Sequence, residues 1–211
     1  MPLIVFLHGA GETPQAWSAQ VAALPPAASA VAPWLRGTRP GQQEKFTVTG
    51  AADEVLGLLT QNGEDSLVLI GASLGAVVAL DAAIRAPEAV SHLILCGGQV
   101  NPPRSVMRVQ RTLLGLMPRR RLAAMGVEKD RFLAALDEAA EVDYRSQLGA
   151  VTARTLVLVG ERDRANTPAA KALADGITGA RLAQVPGAGH TAHTDNPAAF
   201  NALAFGFLAQ R

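Results

Sequence analysis

Ser73 lies between two glycines in Gly71-Ala72-Ser73-Leu74-Gly75, a G-x-S-x-G arrangement. An apolar run, residues 66–71, leads into it, and an alanine-rich helical run, residues 74–86, follows. A tight strand-to-helix turn puts the serine in an unfavourable backbone conformation. It also brings neighbouring chain close to the flanking positions, so these must be small. Such a turn presents the hydroxyl to a substrate, and the first N–H groups of the helix face any negative charge that develops beside it. The chemistry would be nucleophilic attack, although this stretch alone also fits an ordinary small-residue turn.

A serine hydroxyl needs a base beside it. The chain has four histidines: His8, His92, His190 and His193. His190 stands in the glycine-rich segment VPGAGHTAHTDNP, after the last strand-like run and before the last helical one. Gly187 and Gly189 give its backbone freedom to reach inward, and His193 competes three residues on. His8 ends the first strand-like run, and His92 opens another as a surface or edge residue. The base in turn needs an orienting carboxylate. Asp163 follows the run RTLVLVG (154–160), with Glu161 and Asp195 as rivals. The glycine-rich HGAGET turn after the first run offers backbone donors for an oxyanion, and the expected pair is the N–H groups of Ala10 and Leu74.

These groups meet only if the chain folds to bring strand ends together. Apolar runs at 3–9, 29–33, 66–71, 91–98, 154–160 and 180–186 read as strands buried on both faces. Helical patterns at 14–24, 50–62, 74–86, 167–176 and 197–209 separate them, with Pro168 and Pro197 at first-turn positions behind Thr167 and Asn196. The alternation predicts an α/β fold with a mostly parallel sheet of about six strands flanked by helices. Strand C-termini share one edge of such a sheet, where Ser73, Asp163 and His190 would converge. Residues 99–150 break the rhythm, with helical stretches at about 103–117, 119–125, 128–140 and 142–149. The expected division is therefore a core of 1–98 and 151–211 with a helical lid between.

Length and charge narrow the function further. At 211 residues and a formal net charge of +1, the chain suits one domain and lacks a field that would recruit nucleic acid or an anionic membrane. A single cysteine, Cys96, forms no internal disulfide and suits a reducing compartment. No apolar run approaches the ~20 residues of a membrane span, and the N-terminal run reads as a strand rather than a targeting segment. The expectation is a cytoplasmic protein, monomeric or homodimeric, acting on a small molecule without cofactor or metal.

The segments FLHGAGETPQAW, GASLGAVVAL, LVLVGERDRANTP and VPGAGHTAHTDNPAAF together resemble the α/β-hydrolase superfamily, in its order Ser, Asp, His. The resemblance implies a Ser73–His190–Asp163 triad, oxyanion donors at Ala10 and Leu74, and the lid. It also implies the loss of the usual first hairpin, since the chain begins at what would be the third strand. Many members carry D-x-R-G-x-G-x-S after their next strand. Here Trp34 to Gly41 keeps only Arg36-Gly37 of that pattern. Ester or thioester hydrolysis is the leading expectation. The GAGHTAH segment is also similar to a lyase-type member from menaquinone synthesis, and a small-molecule receptor is a third reading. Arg104, Arg108 and Arg111 share one helical face of the lid, within a stretch (101–125) free of acidic residues. They would attract an anionic substrate, or simply cover the lid with solvated charge. Trp17, near the oxyanion turn, would line the pocket or pack between helix and sheet.

Overall fold

The computed structural model describes residues 2–102, 104–124 and 126–210, excepting the side chains of 104–107, 109 and 110. The chain opens with β1 (Leu3–Leu7), a 3₁₀ turn over Pro14–Trp17 and α1 (Ser18–Ala22). β2 (Ala30–Val31), α2 (Val48–Asn62), β3 (Leu67–Ala72), α3 (Leu74–Arg85) and β4 (Val90–Cys96) follow. Next come α4 (Arg104–Gly115), α5 (Arg119–Ala124) and α6 (Lys129–Ala139). The chain closes with β5 (Arg154–Gly160), α7 (Thr167–Gly176), β6 (Arg181–Val185), α8 (Ala192–Asp195) and α9 (Pro197–Leu208). The six strands pair in the order β2-β1-β3-β4-β5-β6, every pair parallel.

Alternation along the strands divides the core into two layers. Leu3, Val5 and Leu7 of β1, with Leu67, Leu69, Leu93 and Leu95, face α2, α3 and α7. Phe6, Val68, Ile70, Ile94 and Leu158 face the other way, against Trp17, Phe200 and Phe207. Both faces are covered, so these strands read as continuous apolar runs. Each fully buried Leu, Ile, Val or Phe contributes about 1.5–3 kcal/mol of transfer free energy, which anchors the strand ends that carry the polar residues. None of the described helices is long and apolar enough to cross a membrane.

Three expectations are corrected. The second strand covers only Ala30–Val31, not 29–33. It is an edge strand pairing with β1 alone, and Pro33, with no N–H to donate, ends it. The helix expected over 14–24 splits into the 3₁₀ turn and the short α1. The helix expected over 142–149 is a series of turns closing with a 3₁₀ turn at Leu148–Ala150. There tertiary contacts override propensity. The N–H of Tyr144 donates to Val100 O at 3.0 Å, and its hydroxyl donates to buried Asp81 Oδ1 on α3 at 2.8 Å. This ties the end of the 99–150 segment to the helix that follows Ser73. Removing a donor from a buried acceptor costs about 1–3 kcal/mol. Tyr144→Phe is expected to lower unfolding free energy by that amount in urea titration at pH 7, and an unchanged midpoint would show the latch to be idle.

Candidate active site

Ser73 joins β3 to α3 at φ 51°, ψ −111°, the one non-glycine residue with positive φ among those described. Such a conformation costs of order 1–3 kcal/mol and persists only where its surroundings enforce it. Here Ser73 N–H donates to Cys96 O at 2.8 Å, and Ser73 O accepts from the N–H groups of Ala76 (3.0 Å) and Val77 (3.2 Å). The flanking glycines are needed for close approach. A Cβ at Gly75 would lie 2.0 Å from Leu7 O, and one at Gly71 would lie 2.4 Å from Gly75 O.

His190 Nε2 lies 3.0 Å from Ser73 Oγ, and its Nδ1 lies 2.9 Å from Asp163 Oδ2. The carboxylate only accepts, so Nδ1 carries the proton and Nε2 presents its lone pair to the hydroxyl. Asp163 is buried and follows β5 in a turn closed by its N–H on Gly160 O at 2.9 Å. Asn166 Nδ2 donates to both of its oxygens, at 2.8 and 2.9 Å. The same nitrogen is 3.1 Å from His190 Nδ1, but two donors do not bond, so its protons serve the carboxylate. The side chain of Gln99 donates to Asn166 Oδ1.

The rival residues sit elsewhere. Glu161 Oε2 accepts from Gly187 N–H at 2.6 Å. Asp195 Oδ2 accepts from Gly189 N–H at 2.7 Å, and its Oδ1 accepts from the Thr191 hydroxyl at 3.2 Å. Both carboxylates thus hold the backbone of the loop that carries His190. His193 is fully buried, stacked on Trp17 with ring centroids 4.2 Å apart. His92 lies on β4 beside Ser91 Oγ at 3.2 Å, and burial, aided by nearby Arg154, lowers its pKa.

His8 ends β1 and is buried. Its Nδ1 donates to Gly9 O at 2.9 Å, and its Nε2 accepts from Leu35 N–H at 3.2 Å. Burial lowers its pKa against the opposing pull of Gly9 O and Glu12, which keeps the ring neutral with one donor and one acceptor. It fixes the HGAGET turn rather than acting on a substrate. Ala10, Ser73, Leu74 and His190 share a cavity of about 760 Å³. Leu74 opens α3, where first-turn N–H groups have no partner within the helix.

The cavity walls are largely small or apolar, with Val77, Val100, Leu136 and Ala169 among them. Gln99, Asn101, Arg145 and Asn166 add polar groups that no sequence motif had singled out. Arg145 carries a permanent charge to the wall and is chelated by Asp143 at 2.9 and 2.6 Å. The expected substrate contacts are corrected. Trp17 is fully buried among Phe6, His193 and Phe200 and does not line the cavity. Arg108 is exposed and absent from the cavity wall. Arg111 is exposed and paired with Asp137 on α6, as Arg119 is with Asp130 at 2.9 Å. The side chain of Arg104 lies outside the described residues.

A doubly covered parallel sheet with a strained serine, a histidine and a carboxylate at the C-terminal edge is the architecture of the α/β enzymes built around a strand–serine–helix turn. The chain belongs to the alpha/beta hydrolase family, whose model matches residues 4–203. Among curated proteins, a pimeloyl-[acyl-carrier protein] methyl ester esterase of Aromatoleum aromaticum is 38% identical over 96 residues. That match takes in 46% of this chain and only 37% of the relative's length. A solved structure of a thermophilic esterase from Thermogutta terrifontis is 25% identical with a TM-score of 0.82, covering 99% of this chain and 89% of the other. The structure of MenH from S. aureus shares the fold at 20% identity and a TM-score of 0.83, over 98% of this chain and 93% of that one.

Three outcomes follow from the local packing. Gly75→Ala is expected to destabilise the protein by about 3 kcal/mol or more. Gly57→Ala, in an open part of α2, should stabilise it by about 0.5–1 kcal/mol, as guanidinium unfolding would show. Burial, with the Asp163 and Glu12 charges adding, pushes the Cys96 thiol up to about 12. At pH 8 the thiol is therefore protonated and enclosed. A disulfide reagent such as DTNB should leave it unmodified in native protein and titrate one thiol in denaturant.

Proposed function

We propose that the chain is a serine hydrolase that cleaves a carboxylic ester or thioester of a small molecule through an acyl-Ser73 intermediate. The observation that carries this reading is the continuous chain from Ser73 Oγ through His190 to Asp163, at 3.0 and 2.9 Å. Ser73 Oγ attacks the substrate carbonyl as its proton passes to His190 Nε2. Asp163 stabilises the imidazolium through Nδ1–H. The N–H groups of Ala10 and Leu74 take the charge that develops on the carbonyl oxygen. Collapse breaks the bond to the leaving group, which receives the proton from His190. Water, activated by the same imidazole, then releases the acid and frees Ser73. Residues 99–150 act as the lid over the cavity. The esterase names carried by the Aromatoleum and Thermogutta proteins support the ester reading.

A second reading, a C–C bond enzyme using Ser73 and His190 for proton abstraction, draws on the GAGHTAH segment and the fold shared with MenH. Its support from a basic lid is weakened by Arg108 and Arg111, which do not reach the cavity.

Short-chain p-nitrophenyl esters test the first reading. Ser73→Ala and His190→Ala should each lower kcat by about 10⁴-fold or more, and Asp163→Asn by about 10⁴-fold. A pre-steady-state burst of p-nitrophenol, one equivalent per chain, would report acyl-enzyme formation whenever deacylation is the slower step. Retention of a tenth of the activity by Ser73→Ala would overturn the assignment.

A further inference from the structure

Two titratable side chains, the half-buried Glu12 and the fully buried His193, take no part in the chain from Ser73 to Asp163. Glu12 Oε2 accepts from Gly9 N–H at 2.8 Å, and Glu12 N–H donates to Gly9 O at 3.2 Å. His8 donates to the same carbonyl at 2.9 Å. Gly9 is therefore held on both its N–H and its C=O, and the next N–H in the chain is that of Ala10. A Cβ at Gly9 would lie 2.7 Å from Glu12 Oε2 and 3.4 Å from Ser73 Cβ, so the carboxylate and the serine crowd the same side of Gly9.

The other carboxylate oxygen, Oε1, lies 3.4 Å from His193 Nε2. His193 is locked in turn. It stacks on Trp17, meets the edge of Phe200 with centroids 6.2 Å apart, and its carbonyl accepts from Gln20 Nε2 at 3.0 Å. It stands three residues beyond His190 on the same segment, which Asp195 also clamps at Gly189. Burial alone would raise the pKa of Glu12. The contact with His193, together with Gly9 N–H, outweighs it and holds the carboxyl below its ordinary range. The neighbours of its two oxygens, Gly9 N–H and the His193 ring, come from the two loops whose separation matters.

We propose that Glu12 and His193 are positioning residues: a brace across the core that fixes the Ala10 turn relative to the segment carrying His190. The inference rests on the hydrolase reading above and assigns a role to residues which that reading leaves unused. A brace of this kind acts on the transition state, since it places a backbone donor where the oxyanion forms and makes no contact with the ground-state substrate.

The test compares wild type with Glu12→Ala, Glu12→Gln and Glu12→Asp on a p-nitrophenyl ester, with an alkylboronic acid as a mimic of the tetrahedral state. Glu12→Ala should lower kcat by about 10- to 100-fold while KM stays within about twofold, and the boronate Ki should rise by the factor that kcat/KM falls. Glu12→Gln keeps an acceptor for Gly9 N–H and should stay within about threefold of wild type. Glu12→Asp draws the carboxylate back from Gly9 and should fall between them, and it carries the test should the alanine variant fail to fold. The brace is overturned if folded Glu12→Ala or Glu12→Asp matches wild type, if Glu12→Gln is as impaired as Glu12→Ala, or if the loss appears in KM with the boronate Ki unchanged. A wild-type protein that neither hydrolyses esters nor binds the boronate refutes the hydrolase reading itself, and the brace with it.

Discussion

The backbone of Ser73 occupies a region that L residues avoid, and the sheet edge is arranged to hold it there. Three backbone hydrogen bonds grip the residue from β4 and α3. Leu7 O and the backbone of residue 75 come so near that only glycine fits at 71 and 75. α3 is alanine-rich and almost wholly buried, which lets it lie close to the sheet and keeps the turn from relaxing. Strain of this size survives because the surrounding core is far larger than the strain itself. The result is a hydroxyl displayed at the mouth of a cavity, with its direction set by the backbone rather than by a flexible side chain.

Four carboxylates divide the labour of holding the loops around that hydroxyl. Asp163 faces the His190 ring. Glu161 and Asp195 grip the backbone at Gly187 and Gly189, and Glu12 grips Gly9. Glu12, Glu161 and Asp195 each accept from a backbone N–H of a glycine-rich segment, and Asp163 accepts from the side chains of His190 and Asn166. Glycine allows the chain to reach the site, and the acids then remove the remaining motion. The helical segment between β4 and β5 is fastened separately, through Tyr144 on Asp81 and through hydrogen bonds such as Arg131 to Gly37 O at 3.0 Å.

The parallel sheet was readable because its strands are buried on both faces, leaving unbroken apolar runs separated by helical periods. The meeting of Ser73, Asp163 and His190 was readable for a related reason: all three follow strand ends on one edge. Their neighbours were harder. Asp163, Glu161 and Asp195 are chemically alike, and turn geometry at 160–163 and 187–195 decides which oxygen meets the ring and which meets the backbone. Trp17 sits near the HGAGET turn in sequence, yet the 3₁₀ turn that carries it sends its ring into the core. The basic face at 104–111 fitted either an anion site or solvated charge, because the acids that pair with Arg111 and Arg119 lie some 10 to 30 residues away on α6. Residues 142–149 carried a helical pattern that the Tyr144 contacts overrode, and Arg145 belonged to no motif at all.

The account turns on Ser73 being an activated nucleophile and not merely a strained turn. The most direct measurement is the site and stoichiometry of covalent modification by a fluorophosphonate, read by intact mass and peptide mapping. The account predicts one adduct per chain, on the peptide containing Ser73, and its loss in His190→Ala that remains folded. A folded wild-type protein that takes up no reagent, or takes it up on another residue, would contradict it.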